Sequence, residues 1–306
     1  MSDILLVDIG GTNMRSAYSK LGDDFIYDTN KNSLEDLKNF NNVITDLISN
    51  ANFDIRNAVF SIAGPKIANN ISMTNREFTF DSDKAKKIFN LDQCYLLNDW
   101  ESIGYSLSST PENEIELIKD GISFNRNSLI IGPGTGLGAA FNNAGNVLPT
   151  EIGNTTNWND SLLENFSVKD KTNYTKLEDI LSGTGIKKLY KSITGQSITP
   201  EEVIKRYKAD EDSAKEVIDG FIKCLAEVLS DLSLTYIPGN GIYLAGGLIR
   251  SLFDLIDPKS FYDDFISNKS SIHQGLLKDI KIGVIKREHS CLYGNLNYFN
   301  LLNKTN

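Results

Sequence analysis

A strand that ends in glycines and turns straight back constrains this chain more than any other feature, because the sequence does it twice. Residues 4–9 form a short apolar run closed by Gly10-Gly11-Thr12, and residues 14–18 read as the returning strand. Residues 128–131 repeat the pattern: they run into Gly132-Pro133-Gly134-Thr135-Gly136-Leu137-Gly138, and residues 139–141 return. Each unit stands near the start of one half of the chain, which hints at a duplicated architecture without a repeat of sequence. At 306 residues the chain accommodates one large or two ordinary domains.

Apolar spacing sorts the remaining segments. Residues 33–49 have helical spacing, with Leu34, Leu37, Phe40, Ile44, Leu47 and Ile48 on one face. Residues 58–63 read as a buried strand stopped by Gly64-Pro65, and Ser82 as the cap of a short helix reaching Phe89. Tyr95-Leu96-Leu97 is a further buried strand that delivers Asn98-Asp99 at its carboxyl end, with a helix following from Trp100. The polar, proline-containing run 106–113 is the best linker. In the second half, Thr199-Pro200-Glu201-Glu202 is a capping box with proline at the first helical position. Residues 213–234 form a long helix that buries Val217, Phe221, Leu225, Val228 and Leu232. Ile242-Tyr243-Leu244-Ala245 is a strand ending in Gly246-Gly247, and a final helix covers residues 290–302. Strands alternating with helices make an α/β protein.

Charge and cysteine usage exclude several chemistries. A net charge of −9 argues against a broad nucleic-acid surface, and backbone N–H groups with a metal ion are better phosphate cradles here than a basic patch. Cys94, Cys224 and Cys291 lie far apart, giving neither a disulfide framework nor a zinc site. The start of the chain lacks the pattern of a signal peptide and no run is long enough to span a bilayer, so a cytoplasmic protein without a membrane partner is expected. His273 and His289 are the only histidines, which disfavours Ser-His-Asp or multi-histidine metal chemistry; His289 reads as a surface or helix-end residue.

Four places carry candidate chemistry. At Asp8-Ile9-Gly10-Gly11-Thr12-Asn13, glycines let the backbone approach an anion, Thr12 adds a hydroxyl donor, and Asp8 offers a carboxylate to Mg²⁺ through water. A plain hairpin turn is the competing reading. Gly134-Thr135-Gly136 suits a second phosphate-cradling turn; because a strand rather than a helix follows, it is not a dinucleotide fingerprint, and no P-loop sequence occurs. Asp99 sits where ligands bind in open α/β sheets, placed either to accept a hydroxyl proton or to cap the next helix. Glu151 and Glu178 are two carboxylates suited to vicinal sugar hydroxyls, or two surface glutamates.

Taken in order, these segments resemble the bacterial glucokinase family within the hexokinase–actin–Hsp70 type of fold. The likeness runs from the Asp8–Asn13 turn with Arg15 through Ser61-Ile62-Ala63-Gly64-Pro65, Met73-Thr74-Asn75 and Leu97-Asn98-Asp99-Trp100. It continues through the second glycine turn, Leu148-Pro149-Thr150-Glu151-Ile152-Gly153, Leu177-Glu178-Asp179-Ile180-Leu181-Ser182-Gly183 and Leu244-Ala245-Gly246-Gly247. The resemblance implies an actin-like ATPase, ribonuclease H-like fold of two α/β lobes with a cleft between them. Residues 1–106 with 291–306 would form the smaller lobe and 107–290 the larger.

It implies transfer of the γ-phosphoryl of ATP to the 6-hydroxyl of glucose, with Asp99 as general base. Asn75, Asn98, Asp99, Glu151, Asn154 and Glu178 would bind the sugar. Gly10, Gly11, Thr12, Asn13, Gly134, Thr135, Gly136, Gly246 and Gly247 would hold the nucleotide, with Mg²⁺ held by Asp8 through water. A homodimer is likewise implied. The family pattern places a histidine where this chain has Asn154, which opens the sugar preference to another hexose. A non-catalytic sugar sensor stands as the alternative on the same fold; the joint presence of Asp8, Asp99 and both glycine turns weighs against it.

Overall fold

The computed structural model describes residues 3–10, 13–33, 39–52, 54–73, 77–156 and 158–303. Of the positions singled out above, Gly11, Thr12, Leu34, Leu37, Thr74 and Asn75 lie outside the described residues. The strands are β1 (Asp3–Ile9), β2 (Asn13–Lys20), β3 (Tyr27–Ser33), β4 (Ile55–Ile62), β5 (Lys66–Ile67), β6 (Asn70–Ser72), β7 (Thr79–Asp81), β8 (Gln93–Asn98), β9 (Ile115–Lys119), β10 (Asn127–Pro133), β11 (Leu137–Asn143), β12 (Asn146–Thr150), β13 (Ile242–Leu244) and β14 (Ile282–Ile285). The α-helices are α1 (Phe40–Ser49), α2 (Ser82–Ile88), α3 (Asp99–Ser106), α4 (Asn159–Leu162), α5 (Gly183–Thr194), α6 (Pro200–Lys208), α7 (Asp212–Tyr236), α8 (Gly247–Leu252), α9 (Pro258–Ile266), α10 (Ser271–Asp279) and α11 (Ser290–Asn303). They divide into two compact units, Met1–Pro111 with Arg287–Asn306, and Glu112–Lys286.

The first unit is built on a five-stranded sheet ordered β3-β2-β1-β4-β8, in which β1, β4 and β8 are parallel and β2 and β3 antiparallel. Leu5, Val7 and Ile9 face a core with Phe40, Ile44, Phe60 and Phe80; Ile4 and Leu6 face a second core with Val59, Leu97, Leu292, Leu296 and Phe299. Burial on both faces is why β1 reads as a continuous apolar run. Helix α11 returns the end of the chain to this sheet, packing on α3 and β1. The fully buried Asn295 locks it there: Nδ2 donates to the Val7 carbonyl (3.0 Å) and Oδ1 accepts from Ser102 Oγ (2.8 Å).

Two local expectations change. Of the helix expected over residues 33–49, Phe40–Ser49 forms α1 and residues 34–38 lie outside the described residues, while Ser33 instead ends β3. That strand is polar, mostly exposed and at the sheet edge, so it lacks the apolar alternation that marks a half-buried strand. The cap of α2 is Asp81 rather than Ser82: Asp81 has extended backbone, and its carboxylate accepts the N–H groups of Asp83 and Lys84, both at 3.0 Å.

The second unit holds a six-stranded sheet ordered β12-β11-β10-β13-β14-β9, with β10, β13 and β14 parallel. The 25-residue α7 buries the expected Val217, Phe221, Leu225, Val228 and Leu232 in the core of this unit. Thr199 caps α6 by accepting the Glu202 N–H (3.3 Å), with Pro200 in the first turn. Strand β10 extends to Pro133 and β11 begins at Leu137, so the second glycine turn is only Gly134-Thr135-Gly136, and a strand follows it. No helix among the described residues is long and apolar enough to cross a membrane.

Candidate functional site

Parallel pairing of β1, β4 and β8 brings their carboxyl ends to one edge of the first sheet, the edge at which open α/β sheets bind ligands. Register sets Asp8 beside Ser61 and Ile62 beside Asn98. Asp8 is 6% exposed. One of its oxygens accepts from Ser61 Oγ (3.2 Å) and the other from Arg15 Nη1 on β2 (3.3 Å). Burial pushes the Asp8 carboxyl up from its ordinary value, against the Arg15 charge and the Cys291 and Ser61 hydrogen bonds. A cation at this carboxylate would favour its ionised form.

Asn98, not Asp99, caps α3. Its Oδ1 accepts the N–H groups of Trp100 (2.9 Å) and Glu101 (3.2 Å), while Glu101 Oε2 accepts the Asn98 N–H (3.1 Å), a reciprocal capping box. The buried Glu101 is held in turn by Lys66 Nζ at 3.0 and 3.2 Å, and Asn98 Nδ2 donates to the Gly64 carbonyl (2.8 Å). Asp99 is therefore the first residue of α3, and its Oδ1 accepts the Trp100 N–H (3.0 Å). The Cys291 thiol, from the first turn of α11, donates to the Asp99 carbonyl at 3.7 Å.

In the second unit, β10 and β13 are parallel neighbours, so Gly134-Thr135-Gly136 and Gly246-Gly247 emerge side by side at their carboxyl ends. The start of α5 braces the first segment: Gly183 N–H donates to the Gly134 carbonyl (2.8 Å) and Thr184 Oγ1 to the Thr135 carbonyl (2.7 Å). Gly246 has a φ of 113°, a conformation that favours glycine. Gly247 is different: a Cβ there would meet nothing within 4 Å, and at Gly134 it would meet only the Gly136 carbonyl at 3.9 Å. In the first unit a Cβ at Gly10 would find only an ordinary contact, the Asn13 carbonyl at 3.6 Å. Protein packing does not demand glycine at these three positions, and each leaves backbone open to close approach by a ligand.

The remaining acidic residues form a chain of contacts in the second unit. The Leu177 N–H donates to the Thr155 carbonyl (2.8 Å), which ties the segment after β12 to the turn before α5. Asn154 Nδ2 donates to Glu151 Oε2 (3.1 Å), Lys176 Nζ donates to Asn154 Oδ1 (3.2 Å), and Lys176 also pairs with Glu178. Glu178 Oε2 accepts the Leu137 N–H (3.1 Å) at the start of β11 and lies against Gly136, where a Cβ would collide with it. Glu151, Asn154 and Glu178 are thus brought together, linked by a lysine that the sequence reading missed.

Lys66, Glu101 and Cys291 were missed as well. They act on the site through contacts between residues far apart in sequence, and the only local signal was Glu101 at the third position after Asn98. His289 directly precedes α11, a helix-end position. Burial pushes the thiols of Cys94 and Cys224 up to about 12. Cys291 lies well above its ordinary value through burial and then the Asp8 and Asp99 charges. Because the thiolate is the reactive form, the folded protein at pH 8 is expected to react slowly with an aromatic disulfide reagent. All three thiols should react once it is denatured. A full equivalent reacting within seconds in the folded state would contradict this.

Comparison with known proteins places these features in a family. The sequence model of the family described as Glucokinase matches residues 5–301. The glucokinase of Saccharophagus degradans is 27% identical, over 96% of this chain and 97% of that one. Among solved structures, a glucokinase from an Antarctic psychrotroph aligns with a TM-score of 0.84 at 22% identity, covering 98% of this chain and 99% of that one. Balamuthia mandrillaris glucokinase, solved in complex with glucose, aligns with a TM-score of 0.79 at 20% identity, covering 98% and 94%. Together with the mixed sheets, these alignments identify the fold as that of the actin-like ATPase sugar kinases.

Proposed function

The chain belongs to the glucokinase family, and from that premise we propose that it transfers the γ-phosphoryl group of ATP to the 6-hydroxyl of glucose. The coarser statement, a sugar kinase, follows from the family itself. The observation that carries the finer reading is the setting of Asp99. It lies at the carboxyl end of β8 in the first turn of α3, with its backbone fixed by a capping box built from Asn98 and Glu101.

Asp99 accepts the proton of the 6-hydroxyl as that oxygen bonds to the γ-phosphorus; the bond from phosphorus to the β,γ-bridging oxygen breaks and ADP leaves. Asn75, Asn98, Glu151, Asn154 and Glu178 bind the other hydroxyls. In the first unit Gly10, Gly11, Thr12 and Asn13 take phosphate oxygens of the nucleotide. In the second, Gly134, Thr135, Gly136, Gly246 and Gly247 take the rest of the nucleotide. The open backbone at Gly10, Gly134 and Gly247 supports this assignment.

Among the described residues no group of three His, Cys, Asp or Glu side chains is gathered to hold a metal. Mg²⁺ fits here as an ion carried by the phosphates, with the buried Asp8 carboxylate as a protein anchor through water. When bound, it neutralises charge on the transferring phosphoryl oxygens. Catalysis by this chain is then positioning and electrostatics.

The test is ADP release with Mg-ATP across glucose, mannose, fructose and amino sugars at equal concentration. Release with glucose, and little with the others, is expected. A clear preference for another hexose overturns the choice of sugar, and no release with any of them overturns the use of ATP, in favour of another phosphoryl donor first and a sugar sensor second.

A further inference from the structure

Lys176 occupies a place that neither the resemblance nor the roles above assign. Resting on the sugar-kinase reading and deepening it, we propose that Lys176 is a specificity-determining residue, whose ammonium donates to a sugar hydroxyl oxygen beside the hydroxyl held by Glu178.

An ammonium carries three protons. Two are committed, one to Asn154 Oδ1 (3.2 Å) and one to Glu178. Among the described residues these are its partners, and the third proton remains for an acceptor in the same corner, where the Lys176 side chain is 36% exposed. Its two bonds also set the groups around it. Because Asn154 Oδ1 receives the lysine proton, its amide nitrogen faces Glu151 Oε2 (3.1 Å), so the orientation of the Asn154 amide is fixed from both ends. Glu178 is likewise held from both sides, by Lys176 and by the Leu137 N–H (3.1 Å).

Lys176 is itself braced. Asp179 Oδ2 accepts the N–H groups of Thr175 (2.9 Å) and Lys176 (3.1 Å), and Asp179 Oδ1 accepts from Lys188 (2.7 Å). A charged donor on a fixed backbone, between an amide and a carboxylate, is a preorganised reader of a neutral polyol. The carboxylates accept protons from hydroxyls, and the lysine donates to an oxygen. An Asn–Lys pair here supplies both a neutral and a cationic hydrogen-bonding group.

The test is steady-state kinetics of the full chain with glucose and with its 1-, 2- and 3-deoxy analogues, comparing wild type with Lys176→Met and Lys176→Arg. Lys176→Met should raise KM for glucose about 10- to 100-fold and change kcat less than about threefold, with Lys176→Arg recovering part of the loss. One deoxy analogue should be a poor substrate for wild type yet no worse than glucose for Lys176→Met, which identifies the oxygen that Lys176 reads. Melting temperatures of the variants should stay near wild type, separating this role from a merely structural one. Unchanged KM in Lys176→Met, or an equal penalty from every deoxy analogue in both proteins, overturns the inference while the kinase reading stands. A wild type that phosphorylates no hexose overturns both.

Discussion

Asp99→Asn is expected to lower kcat by about a thousandfold while sugar binding survives. The amide has the shape of the carboxylate, and its Oδ1 can still accept the Trp100 N–H. The cap of α3 is untouched, because Asn98, Glu101 and Lys66 build it. What disappears is the proton acceptor for the attacking hydroxyl. A positioned general base contributes about 10²- to 10⁴-fold, or roughly 3–5 kcal/mol of barrier. The check is turnover by coupled ADP detection, with the thermal shift induced by glucose as the binding readout. Binding of the folded state alone raises the melting temperature, so a preserved shift with lost turnover isolates chemistry. Near-normal turnover would remove Asp99 from its assigned role.

Gly294→Ala is expected to have the largest effect on stability. Gly294 lies where α11 crosses α3, and a Cβ there would fall on the backbone carbonyl of Ser102. Backbone cannot rotate away as a side-chain tip can, so the two helices must separate. Overpacking of this kind costs about 1–3 kcal/mol and sometimes more, and we place this case at the upper end, about 3 kcal/mol. The strain falls on α3 three residues after Asp99, and separation also loosens Asn295 from Val7 and Ser102, so activity should drop with stability. Gly275→Ala is the contrasting control. It sits inside α10, where a Cβ would meet nothing within 4 Å, and the gain in helix propensity should stabilise by roughly 0.5–1 kcal/mol. Urea or thermal unfolding of both variants tests the pair. A Gly294→Ala protein as stable as wild type would contradict the crossing geometry.

The legible parts of this protein were those where one local rule acts alone. Residues 4–9 and 128–131 announced themselves because strands buried on both faces are apolar throughout. Helix α7 did so through its helical period, and α6 through Thr199 and Pro200. Strand β3 stayed hidden because an exposed polar edge has no apolar pattern to read. The same division runs through the candidate site. Glycines and acids at strand ends, such as Asp8 with Gly10 and Asp99 after β8, stand out as candidates in the local sequence. Lys176, Lys66 and Cys291 do not. Lys66 meets Glu101 from 35 positions away and Cys291 meets Asp99 from 192 positions away. Lys176 is one lysine in a polar stretch until the pairing of Leu177 with Thr155 brings it to Asn154. Contacts of that kind belong to topology, which one sequence does not spell out.

The most direct test of the central claim is to identify the product. Purified protein, Mg-ATP and carbon-13-labelled glucose should yield one equivalent of ADP for each glucose consumed. Phosphorus and carbon NMR should show a single phosphomonoester, with phosphorus coupling at carbon 6. ATP hydrolysed to free phosphate with glucose unchanged, or phosphate placed on another carbon, would contradict the account.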